Sequence, residues 1–173
     1  MESVMQHLKR RHLNVELHRP VVDEVNRVAT FFLYNLSGGL VGYLQYRPEG
    51  SKKANNEPKL GKYFTYKQRQ TLAVWGLESL HLTPNVVFLT EGVFDAARLT
   101  ERGVSAVAVL GNDSSKDLSN WLSCLNRKVV AVCDNDDAGR KLAKFGDVSV
   151  FTKDHDLGDS SDEFVDELLK AFL

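Results

Sequence analysis

The chain predicts an α/β fold: an open parallel sheet with flanking helices over residues 85–173, preceded by a smaller mixed α+β subdomain over residues 1–84. Three observations carry that expectation. Residues 86–89 and 129–133 are short, β-branched, apolar runs free of charge, the pattern of strands covered on both faces. Each run ends abruptly in acid, in LTEGVFD (89–95) and VCDNDDAGR (132–140), and each is followed by a helical pattern. The first half instead holds two aromatic and β-branched runs around a glycine turn, the signature of a hairpin.

The elements follow in order. Residues 1–13 have helical spacing, with Val4, Met5 and Leu8 on one face. Residues 28–36 and 40–47 read as strands joined by Ser37-Gly38-Gly39. Residues 50–58, which include Lys52 and Lys53, have the composition of a loop. Residues 71–80 suggest a short helix, and Thr83-Pro84-Asn85 marks the junction between the halves. Beyond it come a strand at 86–89, a helix over 93–102, a helix near 117–125, a strand at 129–133 and a helix from about Ala138. A strand at 147–151 and a last helix from about Ser161 complete the unit, with no repeats and no low-complexity tract.

The carboxylates Glu91, Asp134 and Asp136 then fall just past the carboxyl ends of two strands, where open α/β sheets place their sites. Acids gathered there repel one another and resist ionising together. A divalent cation removes that penalty, and hard oxygen ligands suit Mg²⁺ or Mn²⁺. A purely structural role is the competing reading. Asp136 or Asp137 can N-cap the helix near Ala138, and Gly92 with Asp95 can simply open the preceding helix.

Composition bounds the alternatives. With 173 residues, 43% hydrophobic and 26% charged, the chain suits one compact domain or a small domain pair. No apolar stretch approaches a membrane span, and residues 1–11 are basic rather than apolar, so no membrane role and a cytoplasmic location are expected. Cys124 and Cys133 lack metal-ligand spacing and are expected to be buried packing residues. His7, His12 and His18 are expected on exposed helix and loop positions, and His81 and His155 have no spaced partner. The net charge of −1 conceals a polarity. Residues 47–69 hold Arg47, Lys52, Lys53, Lys59, Lys62, Lys67 and Arg69 against Glu49 and Glu57, whereas residues 134–167 are acidic. Such an arrangement suits polyphosphate beside metal. Tyr63, Phe64 and Tyr66 lie among those cations, as where bases stack and phosphates are neutralised, or else form the buried face of a strand.

The acidic motifs, Glu-Gly-x-x-Asp after one strand and Asp-x-Asp-x-Ala-Gly-Arg after a later one, resemble the Toprim domain of bacterial and phage DNA primases, topoisomerases and some nucleases. GVSAVAVLG (103–111) resembles its second strand and glycine turn, and DSSD (159–162) its third acidic motif. GYLQYR (42–47), GKYFT (61–65) and WGL (75–77) are similar to the segment that precedes Toprim in primases, and residues 1–21 resemble its helical lead-in.

That resemblance implies template-directed synthesis of short RNA primers from ribonucleoside triphosphates on single-stranded DNA. Glu91, Asp134 and Asp136 would hold one or two Mg²⁺ or Mn²⁺ ions, with Asp95, Asp159 and Asp162 as additional ligands. Glu91 is alternatively a proton acceptor. Gly92 would let the backbone approach a phosphate, Arg47 and Lys62 would grip the triphosphate, and Lys67, Arg69 and Arg140 would meet nucleotide or DNA. The sequence carries no zinc ribbon and no Gly-x-x-x-x-Gly-Lys phosphate loop, so a phage-type core relying on a helicase or a separate zinc-binding protein is expected. The same acids serve a Toprim-type nuclease in a second reading, and a non-catalytic replication adaptor is the third.

Overall fold

The structure, a computed structural model, describes residues 2–52, 57–110, 116–153 and 156–173. Lys53 and the middle of its loop, Gly111 of the glycine turn, and His155 lie outside the described residues. Helices α1 (Val4–Arg10) and α2 (Val15–His18) lead into strands β1 (Val21–Asp23), β2 (Val28–Tyr34), β3 (Leu40–Tyr46) and β4 (Tyr63–Lys67). These four form one antiparallel sheet in chain order. Strand β5 (Val86–Thr90), helix α3 (Val93–Thr100), β6 (Ala106–Ala108), α4 (Lys116–Leu125), β7 (Lys128–Cys133), α5 (Asp137–Leu142), β8 (Val148–Phe151) and α6 (Asp162–Lys170) follow. The second sheet is wholly parallel, in the order β6-β5-β7-β8.

Alternation along the strands builds the core. Val86, Phe88, Val130 and Val132 enter one apolar cluster with α3 and α6, while Val87, Leu89, Val129, Ala131 and Cys133 enter another with α4 and α5. A sheet covered on both faces needs uninterrupted apolar strands, which is why β5 is buried at every position. The larger cluster also takes Val4, Leu8, Phe31, Leu33, Leu44, Tyr46 and Trp75 from the first half. Burial of each such side chain contributes about 1.5–3 kcal/mol.

The hairpin and the parallel unit lie where the sequence puts them. The helix expected over residues 71–80 does not form: Val74 bridges to Tyr34 of β2 and Trp75 to Ala108 of β6, and only Leu77–His81 turn as a 3-10 helix. Pairing two sheet edges satisfies these backbone groups better than a helix among them. Strand β4 forms where a strand is the alternative reading for Tyr63, Phe64 and Tyr66, and α2 falls within the helical lead-in, whereas the sequence pattern does not signal the short β1. Cys133 is buried as expected, but Cys124 is exposed, because α4 turns it away from Leu118 and Leu122. His18 is not exposed: its ring is sealed against Trp75, with Nε2 2.8 Å from the Thr100 hydroxyl and Nδ1 paired to Glu78. Among the described residues no helix is long and apolar enough to cross a membrane.

Candidate metal and nucleotide site

Strand β5 connects through α3 to β6 on one side, and β7 connects through α5 to β8 on the other. The chain thus leaves β5 and β7 in opposite directions, opening a crevice at their carboxyl ends. Glu91 follows β5 and Asp134 follows β7, so the two acids arrive there by topology alone. A hollow of about 430 Å³ opens above them, lined by Glu91, Gly92, Asp95, Asp134 and Asp156, with Arg11, Leu44, Tyr63 and Thr65 opposite. The acidic end of the parallel sheet therefore faces the inner face of the antiparallel one.

Local chemistry fixes each carboxylate. A Cβ on Gly139 would lie 1.9 Å from the Asp134 carbonyl oxygen, so only glycine lets α5 pack beneath that turn. The Gly139 N–H donates to Asp136 at 2.8 Å, making Asp136 the N-cap of α5. Asp136 thus plays the structural part considered above, while its charge still acts on Glu91 and Asp134. Asp95 accepts from Gly92 N at 3.2 Å and from Gly158 N at 2.8 Å, tying the start of α3 to the segment before α6.

Electrostatics show a site short of positive charge. Burial, then Asp136, Asp134 and Asp156, raise Glu91 above the usual carboxylate range. Burial, Asp156 and Asp136 do the same to Asp134, against a weak contact from the Thr152 hydroxyl at 3.5 Å. Asp95 is pushed up to about 7, by burial foremost and by Asp134 and Asp156, while its two N–H donors oppose the shift. A bound cation would reverse all three.

The donor set fits such a cation in a particular way. Among the described residues no three carboxylate, imidazole or thiol groups stand close enough to cage an ion unaided. Mg²⁺ does not need a cage: it keeps several waters and binds through one or two carboxylates plus substrate phosphates. Glu91 and Asp134 supply hard oxygens of that kind, beside a hollow with room for a polyphosphate.

The remaining expected residues lie elsewhere. Asp159 pairs with Arg11 at 3.4 Å, and Asp162 pairs with Arg98 and with Arg102 at 2.7 Å. Arg140 pairs with Asp137 on exposed α5. Arg47 lines a different hollow, with Val21, Asp23, Thr30 and Gln45 on the outer face of the antiparallel sheet. Lys62 sits with its ammonium 5.9 Å from the Tyr46 ring, on the inner side. Lys67 closes β4 and Arg69 lies just beyond it, both exposed. Tyr63 and Tyr66 are about half exposed, Tyr66 stacked on Tyr43 and Tyr63 tilted against Tyr46, so the buried-strand alternative does not hold for them. Two residues at the hollow went unnoticed in the sequence. Asp156 precedes the expected third motif, and Arg11, set over the Phe94 ring at 4.3 Å, is the cation nearest the acids on its lining.

Comparison with known proteins agrees with this geometry. Residues 88–147 match the family described as Toprim-like. A DNA primase of Aquifex aeolicus is 44% identical over 57 residues, 32% of this chain and 11% of that protein. An uncharacterized protein of Mycoplasma genitalium is 29% identical over 114 residues, 65% of this chain and 50% of that one, so the chain spans half or less of these relatives. Among solved structures, the DnaG catalytic core superimposes with a TM-score of 0.66 at 18% identity, covering 97% of this chain and 70% of that one. A DnaG catalytic domain bound to single-stranded DNA does so with a TM-score of 0.58 at 19% identity, covering 94% and 63%. The acids at the end of the parallel sheet therefore lie in a Toprim-like segment, and the chain as a whole has the fold of the primase catalytic core.

Proposed function

We propose that the chain performs template-directed nucleotidyl transfer as a primase core, joining ribonucleoside triphosphates on single-stranded DNA. The observation that carries this reading is the pairing of Glu91 and Asp134 at the crevice between β5 and β7, facing Arg11 from the end of α1 and Tyr63 from the antiparallel sheet. A divalent ion bound there, Mg²⁺ or Mn²⁺, would neutralise the triphosphate and lower the cost of forming the attacking 3′ oxygen.

The chain's own groups supply the rest. Glu91 and Asp134 offer the ligand oxygens, and Asp136, fixed by its cap, adds negative potential without leaving its helix. Arg11, with a planar fork at the edge of the hollow, meets the phosphates, joined by Lys62 from the inner side of β4. Tyr63, with Lys67 and Arg69, offers a stacking face and charge to the template. The solved DnaG domain that carries single-stranded DNA shares this fold, which supports that partner.

The test is a gel assay with single-stranded DNA, labelled ATP, the other ribonucleotides and Mg²⁺ or Mn²⁺, run beside Asp134→Ala. Short labelled products that disappear in the variant are expected. Metal-dependent shortening of the DNA without synthesis would move the same acids to a nuclease.

A further inference from the structure

Arg98 is the unexpected charge in this molecule. It sits on α3 among Ala96, Ala97 and Leu99 and is 1% exposed. A guanidinium taken out of water costs several kcal/mol unless it is well paired, and an apolar side chain would often fill such a place as well or better. An arginine there is informative only through what it holds. Its Nη2 donates to the Ser160 carbonyl at 3.3 Å and to the Asp162 carboxylate; its Nη1 donates to Glu101 at 3.3 Å and lies 3.0 Å from His12 Nδ1. One planar fork thus joins the end of α1, the body of α3 and the segment that enters α6.

That segment is pinned at three further points. Gly158 donates to Asp95, Arg11 pairs with Asp159, and Arg102 of the 93–102 stretch takes Asp162 at 2.7 Å and Asp166 at 3.1 Å. Just before the first of these anchors the chain passes the hollow, and Asp156 is the residue it presents there.

We propose that Arg98 is a positioning residue: from the buried side of α3 it holds the 156–162 segment so that Asp156 faces Glu91 and Asp134. Asp162 then serves as the anchor of that segment. The inference rests on reading the hollow as a divalent-metal and triphosphate site. The role belongs to the charge and its fork, not to the volume of the side chain, so Arg98→Met keeps the packing and loses the function.

The experiment measures Mn²⁺ affinity by electron paramagnetic resonance on the full chain, well below its melting temperature. The variants are Arg98→Met, Arg98→Lys and Asp162→Asn, with Glu91→Gln as the site control and Leu122→Ala, on the far side of the parallel sheet, as a destabilised control. Arg98→Met and Asp162→Asn are expected to weaken Mn²⁺ binding about tenfold, as loss of an outer partner of a metal site does, with partial return in Arg98→Lys and no change in Leu122→Ala. Should Arg98→Met fail to fold, Asp162→Asn carries the test, because that carboxylate is 62% exposed. Parent-like affinity in Arg98→Met and Asp162→Asn, with binding lost in Glu91→Gln, overturns the positioning role and leaves the metal site standing. Parent-like affinity in Glu91→Gln as well removes the site, and this inference with it.

Discussion

The two sheets meet at one hollow but were written into the sequence in different ways. On the parallel sheet, Glu91 and Asp134 follow directly on strand ends, so a motif read along the chain is also a position in space. On the antiparallel sheet the cations come from a continuous basic stretch, and what each can reach depends on which face of the pleat it takes. One residue of register reverses that choice. Arg47 and Lys62 are backbone neighbours, with the Arg47 N–H donating to the Lys62 carbonyl at 2.9 Å. Yet Arg47 lines the outer hollow beside Asp23 and Gln45, while Lys62 lies against Tyr46, which is fully buried on the inner face. A charge count thus locates a basic sheet, and only the pairing of β3 with β4 says which of its residues see the acids.

The comparison breaks first at the acids. Glu91→Gln or Asp134→Asn should reduce primer synthesis by about a hundredfold or more, the scale of losing a group that acts on developing charge in a sheltered site. Circular dichroism should show both variants folded, since each removes a repelling charge. Next come the cations: Arg11→Met should raise KM for the triphosphate about tenfold, the worth of one charge-assisted hydrogen bond, whereas Arg47→Met should leave it near the parent value. Equal effects would mean that the acidic hollow and the hollow on the outer face of the antiparallel sheet are not functionally distinct.

A subtler difference lies in pH. In the metal-free protein Asp95 is protonated in the folded state up to about pH 7, but in the unfolded chain only up to about pH 4. Between those values the folded state holds the extra proton, so this group's contribution to stability is full at the acid end and is lost as pH rises through 7. The melting temperature of the parent should therefore fall relative to Asp95→Asn across that window, and saturating Mg²⁺ should flatten the difference. The smallest effect belongs to the aromatics: Tyr63→Ala should weaken single-stranded DNA binding by about 1 kcal/mol, or roughly fivefold, the lower end of what one stacked base contributes. A filter-binding titration at fixed salt would measure it.

The pattern of what could be read from the sequence follows the same physics. Strands buried on both faces announce themselves through composition, and their carboxyl ends locate Glu91 and Asp134. Asp136 was legible both as an acid of the cluster and as a helix cap, and the structure gives it the cap while leaving its field on the site. His18, Arg11, Arg98 and Asp156 were not legible as site or core residues. The first three depend on contacts across tens of residues: His18 to Thr100, Arg11 to Asp159, Arg98 to Asp162. A charged residue inside a pattern that otherwise suits a buried helix face is the one clue that Arg98 left. The 71–80 segment misled for a related reason, since its helical periodicity was outweighed by two sheet edges that needed partners.

The most direct measurement is an anomalous difference map from crystals soaked in Mn²⁺. A peak within about 2.5 Å of carboxylate oxygens of both Glu91 and Asp134 is the expected result. Mn²⁺ bound elsewhere on the molecule, with no peak between β5 and β7, would contradict the metal-centred reading of the site.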